Sequence, residues 1–341
     1  MTRRFDILLA ACLTALLSAC NVHEWPDAAA LPEEEMSVDL VFDFTEITIY
    51  KEIIVTRADD GLLDDMEMRY LLRCYSVDDE GGYELLPDAQ FVFLNSQLND
   101  PLFRCSLRLT PGKYLIKVWA DYVKSGSYDD LYYDTTDFSD VSIARAADDY
   151  VGSLEARDAF VGEQEVTVSP IPGEQQGQVS ARIYMQRPFA KFKFVTTDIA
   201  EFVEKYLGIT DPDEIAHIDF SDYRVLFRYT GYLPTHYNLF DEKPFDASTG
   251  YQFFSSISEP TASEATLGYD YVFVNGQEAS VSVALGIYDK QGNLLSFSDP
   301  FEVPLKRNYL TVVSDKFLSQ SGSGSVTIDT EYIGSYDIFV K

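Results

Sequence analysis

The residues able to do metal or nucleophilic chemistry in this chain are few and scattered. Three histidines, His23, His217 and His236, stand at no metal-ligand spacing from one another, and the four cysteines, Cys12, Cys20, Cys74 and Cys105, form no cluster. No metal site is expected. The serines of "SGSGS" at 321–325 lack the strand-Ser-helix setting of a hydrolase nucleophile, and the stretch has the composition of a loop. Two acidic stretches, "ADDGLLDDME" and "SVDDEGGYE", lack the Asp-x-Asp-x-Asp-Gly order and the later glutamate of a calcium loop, so they are expected to be solvated hairpin tips. Paired carboxylates for acid–base catalysis exist in such number that no pair is singled out. The chain is read as no enzyme, with no cofactor.

Cys20 is the cysteine whose surroundings specify a reaction. Arg3 and Arg4 precede "ILLAACLTALL", an apolar run too short to cross a bilayer, and Leu17-Ser18-Ala19-Cys20 follows. This order of basic start, apolar core and small residues describes an export signal over 1–19, and its ending resembles the bacterial lipobox. Cys20 is then the lipidated first residue of the mature chain. An ordinary signal peptide with a chance cysteine, or a short buried helix, is the competing reading. Two or three acyl chains hold a protein to a bilayer firmly, at about 0.8 kcal/mol per buried methylene.

Charge limits the partners. Removing residues 1–19 leaves 24 Lys and Arg against 55 Asp and Glu, a formal charge of −31. Such a surface repels nucleic-acid phosphates and anionic headgroups, which argues against nucleic acid and for a body held by its lipid. At 46% hydrophobic residues it still folds, and 23 Tyr with 23 Phe favour strands.

The elements that position these residues are strands. Residues 20–36 lack periodicity and make a tether, after which Val38, Leu40, Phe42 and Phe44 alternate with Asp39, Val41 and Asp43. Further strands are expected at 67–77, 90–94, 102–109, 113–123 and near 163–169, with a type II turn at Pro111-Gly112. The boundary is placed in "SPIPGEQQGQ", giving a first β-sandwich over 37–170, a linker at 171–178 and a second sandwich over 179–341. In "ARIYMQRPFAKFKFVTT" the inward phase switches across Arg187-Pro188, as a bulge there would make it do. One helix is expected in "DIAEFVEKYLG", capped by Asp198 with Glu201 three later and ended by Gly208. Strands follow at 222–229, 251–257, 269–274, 279–289, 308–317, 324–330 and 333–340, so the fold class is all-β, two sandwiches in series.

Alternation also assigns faces. Arg69 and Arg73 mark a wet face that turns Tyr70, Leu72 and Cys74 inward, and Arg104 and Arg108 do the same for Cys105. Both thiols then enter one core. Either they form a disulfide closing a loop of about 30 residues, worth about 3–4 kcal/mol, or they are two small buried thiols. Trp119 falls with Lys117 and Asp121 on the polar face of its strand, followed by the Tyr- and Asp-rich segment 121–140. Trp119 with Tyr128, Tyr132 and Tyr133 makes a candidate aromatic and carboxylate platform for a glycan or a protein partner. The simpler reading has the helix or a loop covering Trp119.

The lipobox with "CNVHEWPD", then "DMEMRYLLRCYSV", "LTPGKYLIKVWADYV", "QRPFAKFKFVTTD" and "KRNYLTVVSDKFL", resembles the fimbrillin-like lipoproteins of Bacteroidales, of the minor-fimbrium anchor-subunit type. The resemblance covers nearly the whole chain. It implies two transthyretin-like (Greek-key) sandwiches, a lipid anchor in the outer membrane, exposure at the cell surface and no enzymatic activity. It also implies fimbrial partners that assemble by strand exchange, in which a cut after a basic residue frees the first strand and a partner's C-terminal strand fills the groove. Arg57 in "IIVTRADDG" is the candidate cut site, Lys51 a weaker one, and an uncut loop arginine the plain alternative. An uncut chain keeps its lipid and serves as an anchoring or accessory subunit. "GSYDIFVK" either donates a strand or closes its own sandwich. The alternative function is a carbohydrate-binding surface lipoprotein using Trp119 and the 121–140 loop.

Overall fold

Alternate residues of the first strand, Val38, Leu40 and Phe42, are shut off from solvent, and the strand they form is the middle of its sheet. The computed structural model describes residues 35–45, 63, 65–98, 101–169, 178–275, 279–319, 326–328 and 335–340. Cys20, Lys51, Arg57 and the 321–325 loop lie outside them.

The first sandwich uses β1 (Met36–Asp43), β2 (Met66–Val77), β3 (Tyr83–Asn95), β4 (Leu102–Leu109) and β5 (Gly112–Lys124). After two short strands, β6 (Tyr133–Asp134) and β7 (Val141–Ile143), it is completed by β8 (Ala159–Val168) and β9 (Gln178–Tyr184). One layer has the order β4-β1-β9, the other β3-β2-β5-β8. Between them lie Val38, Leu40, Phe42, Tyr70, Leu72, Ile116 and Val118. β9 pairs parallel to β1, so it belongs to this sandwich and not to the second. The boundary therefore falls at Gln186–Pro188 rather than in 171–178. The phase switch across Arg187-Pro188 marks the chain leaving one sheet for another and is no bulge.

The second half holds β10 (Phe189–Thr196), β11 (Arg224–Tyr229), β14 (Gln252–Ser256) and β15 (Ala265–Phe273) of the second sandwich, with β12 (Leu233–Asn238) and β13 (Lys243–Ser248) forming a small separate sheet with β6 and β7. β16 (Ala279–Tyr288), β17 (Leu294–Phe297), β18 (Phe301–Leu305), β19 (Leu310–Asp315), β20 (Val326–Ile328) and β21 (Ser335–Val340) follow. Its layers run β15-β10-β19-β21-β20 and β14-β11-β16-β17, with β18 also on β16. β21 lies parallel to β19 of its own sandwich. Phe192, Phe194, Phe227, Phe253, Val283 and Val303 fill the space between the layers.

Helix α1 (Ile199–Leu207) buries Ile199, Phe202 and Val203 and ends at Gly208 in the left-handed conformation, as the sequence predicts. Its start differs. The Asp198 carboxylate makes no cap bond; it accepts from Thr196 Oγ1 and from the backbone N–H groups of Leu318 and Ser319, tying the helix to the strand end after β19. Glu201 pairs with Lys316 at 2.7 Å. A second single-turn helix, α2 (Pro212–Ile215), follows, its Asp211 side chain accepting from the Asp213 N–H. Pro111-Gly112 forms no type II turn, since Gly112 is not among the residues with positive φ and opens β5 directly.

A true bulge lies elsewhere. The β10–β15 register shifts between Phe194 and Val195, opposite Gly268, whose φ is 151°. A Cβ there would stand 2.6 Å from the Phe227 ring and 2.7 Å from Ser255 Oγ. Gly268→Ala is expected to lower stability by about 1–3 kcal/mol through backbone strain and overpacking, as read from the urea midpoint.

Candidate functional site

Strand β5 places the residues expected to form a platform, and it is buried on both faces. Lys117, Trp119 and Asp121 alternate with Ile116, Val118 and Ala120 as the sequence indicates, yet all six are shut off from solvent. The two charged members are paired. The Lys117 ammonium pairs with Glu163 and donates to the Leu239 carbonyl at 3.0 Å. The Asp121 carboxylate accepts from Arg69 Nε and Nη2 at 2.9 and 2.8 Å.

Trp119 itself enters a third apolar cluster, between the two sandwiches. It meets Tyr133 edge-on at 5.3 Å, and Tyr133 in turn packs on Phe189 and Phe273 at 5.5 and 5.9 Å. Phe189 stacks on Phe273 at 4.6 Å, and Tyr237 stacks on Phe273 at 5.3 Å. Strands of both sandwiches and the small sheet β13-β12-β7-β6 thus share one core. Trp119 and Tyr133 are fully covered and Tyr132 is half-buried, so only Tyr128 offers its ring to solvent. The four-residue platform does not form. What covers Trp119 is the 133–141 segment and the second sandwich.

Arg69 and Arg73 correct the face assignment on β2. Arg69 is 1% exposed, held by Asp121, by Asp130 at 2.8 Å and by the Tyr128 carbonyl at 2.8 Å. Arg73 donates to the carbonyls of Thr135 and Thr136 and lies 4.1 Å from the Phe138 ring centre. Two arginines spaced for a wet face instead hold the 128–138 loop down onto the sheet. Guanidiniums suit this work because several fixed donors meet several acceptors at once.

Further ion pairs join the halves. Arg157 pairs with Asp270, whose other oxygen accepts from Tyr150 and Tyr229 at 2.8 and 2.7 Å. Burial pushes both phenols well above the usual tyrosine value, so each remains a donor. Arg187 binds Asp158 at 2.7 Å and Lys191 binds Glu155 at 2.6 Å across the halves, while Arg307 binds Glu242 at 3.0 Å within the second. Buried pairs of this kind add little net stability, but losing one partner strands a charge and costs about 3–5 kcal/mol.

Cys74 and Cys105 come from opposite layers and meet one core, as expected; both are free thiols. Burial pushes each thiol up to about 12. Among the described residues, no group of three His, Cys, Asp or Glu side chains converges to hold a metal, and no helix is long and apolar enough to cross a membrane.

Two open features lie among the described residues. A groove of about 380 Å³ runs between β2, β3 and the loop, lined by Arg73, Gln90, Phe91, Tyr128, Asp129 and Thr136 among others. A hollow of about 250 Å³ lies on the outer face of the second sandwich around Gly286. Neither was legible in the sequence, since both depend on which strands lie side by side.

Two all-β sandwiches sharing an aromatic joint define the class of protein. Residues 31–340 match a family of unknown function (DUF6562), and the chain belongs to it. No curated protein matches. Among solved structures the chain is similar to the fimbrial anchor protein Mfa2 from Porphyromonas gingivalis, at 11% identity over 78% of this chain and 82% of that one, TM-score 0.39. It is similar to a protein from Bacteroides thetaiotaomicron proposed to bind polysaccharide, at 13% over 77% and 79%, TM-score 0.41. The tip fimbrial protein Mfa3 from Porphyromonas gingivalis aligns at 9% over 79% and 81%, TM-score 0.37.

Trp119→Ala is expected to cost about 3–5 kcal/mol in chemical unfolding, the range for emptying a buried aromatic site. A surface tryptophan would cost a few tenths. Without reductant, Cys74 and Cys105 are expected to resist a thiol reagent at pH 8 in the folded protein and both to react once it is unfolded, because burial keeps them protonated and covered.

Proposed function

We propose that this chain is a non-enzymatic cell-surface lipoprotein of the fimbrillin type, moored in the outer membrane through lipid on Cys20 and serving as an anchoring or accessory subunit of a fimbrium. The observation that carries this reading is the place of β1. In sequence, the segment after Cys20 continues into β1, the middle strand of β4-β1-β9, which pairs antiparallel to Leu102–Leu109 and parallel to Gln178–Tyr184 along its length. A pull from the membrane reaches the body at the N-terminal end of β1. It is resisted by two ladders and by the burial of Val38, Leu40, Phe42 and Phe44. Residues 21–36 give the body a reach of at most about 55 Å from the lipid.

An uncut chain fits this role, because hydrolysis after Arg57 would leave β1 attached to the body by non-covalent contacts alone. Its loss would open a groove between β4 and β9 for a guest strand, the route by which shaft-type assembly proceeds.

A carbohydrate-binding role is the second reading. The exposed ring of Tyr128 beside Asp129 and Gln90 in the 380 Å³ groove favours it. Loss of glycan-array signal in Tyr128→Ala supports that reading, and a blank array for the parent removes it.

The intact mass of the protein extracted from membranes is expected to equal residues 20–341 plus two or three acyl chains, with no break after Arg57. An acyl-free product, or a body beginning at Ala58, contradicts the anchor. Cells lacking the chain are expected to shed fibres that parent cells retain; unchanged fibre retention and length count against the role.

A further inference from the structure

The outer face of β14-β11-β16-β17 carries an apolar row that no described residue covers. In register across the strands lie Phe254, Leu226, Gly286 and Phe297, with Tyr288 opposite Leu294 one step along. Phe254, Leu294 and Phe297 are 46%, 50% and 50% exposed. Gly286 makes the row concave, since a Cβ there would sit 3.1 Å from the Tyr288 ring and 3.4 Å from Leu294. The result is the 250 Å³ hollow. Beside it stand Arg224, stacked 4.2 Å from the Phe254 ring centre, and Arg228, both exposed and neither in an ion pair among the described residues. In a chain of net charge −30, this is an apolar surface edged by positive charge.

The complementary shape is on the same chain. The tip of the β2–β3 hairpin projects Tyr83 and Leu85, 50% and 36% exposed, among exposed Asp79, Glu80 and Glu84. Residues 74–103 contain no Lys or Arg at all. The tip is stiff: Asp78 Oδ1 accepts from the N–H groups of Glu80 and Gly82 at 2.9 and 2.7 Å, and Gly81 takes the left-handed φ of 83° that closes the turn. A pre-organised convex element loses little entropy on docking. Charges beyond about 8 Å are screened at physiological salt, so the net charge of two copies does not outweigh arginine meeting carboxylate at the contact.

We propose that the Gly286 hollow of one copy receives the β2–β3 hairpin tip of a second copy, Tyr83 or Leu85 filling the hollow and Arg224 and Arg228 facing Glu80 and Glu84. The contact uses different surfaces on the two copies. Each docked copy therefore keeps one free hollow or tip, and association extends in rows rather than ending by necessity at a dimer. This goes beyond the anchor reading and does not depend on where the lipid sits.

Sedimentation velocity of the full chain in detergent, at ~0.15 M salt and over ~1–100 μM, tests it. The sedimentation coefficient of the parent is expected to rise with concentration. Arg228→Glu and Glu84→Arg are each expected to weaken association by ~10-fold, and the doubly reversed chain to recover most of that loss. Phe297→Ala weakens it without a charge change. All these side chains are exposed, and far-UV circular dichroism checks that the variants fold. A single monomer species at every concentration overturns the proposal. So does association indifferent to these substitutions, or reversal with no recovery in the double variant. A parent that stays monomeric but binds a polysaccharide through Phe297 assigns the hollow to a glycan and equally overturns it. The membrane-extracted mass is unaffected by any of these outcomes, so the anchor reading stands or falls separately.

Discussion

The covering of Trp119 is the constraint on which the rest of the structure depends. A single strand, β5, supplies the inner face of the first sandwich through Tyr114, Ile116, Val118 and Ala120, and the joint between sandwiches through Trp119. Strands buried on both faces are usual where a sheet is covered on two sides. Here the second cover is the other half of the protein. Because Trp119, Tyr133, Phe189, Tyr237 and Phe273 pack as one cluster, the sandwiches cannot part without exposing large aromatic surface.

Polar groups inside this joint narrow the ways in which it can close. Lys117, Arg157, Arg187 and Asp270 are all buried with partners, and several of those partners come from the other half of the chain. Apolar surfaces tolerate sliding, whereas a buried guanidinium tolerates few positions, so such pairs select one arrangement more than they deepen its stability. A body joined in this way would pass a pull from β1 to its far end, which the anchor role proposed above would require.

The sequence revealed what alternation and caps control. The strands 36–43, 66–77 and 102–109, the helix from Ile199 and its stop at Gly208 follow from local patterns. Partner identity is not local. A period-2 pattern with Lys117, Trp119 and Asp121 on one side is the same for a strand facing water and for one facing a polar-laced joint. Arg69 and Arg73 mislead for the same reason: a guanidinium four residues from another marks solvent unless carbonyls and carboxylates from 60 residues away come to meet it. The short strands β6, β7, β12 and β13 give little periodic signal because tertiary packing, not their own pattern, makes them strands. The hollow at Gly286 and the groove beside Tyr128 were invisible, since each needs the pairing of strands distant in sequence.

Hydrogen exchange of segments 133–143 and 233–239 tests the joint most directly, because these stretches are short and have little reason to be protected apart from it. Their slowest amides, those bonding across β7 and β12, are predicted to exchange on the timescale of β5 and β10 and to respond to denaturant with the same slope. Exchange orders of magnitude faster, with the two sandwich cores opening separately, would show that the halves are independent beads and that no rigid body links membrane to partner.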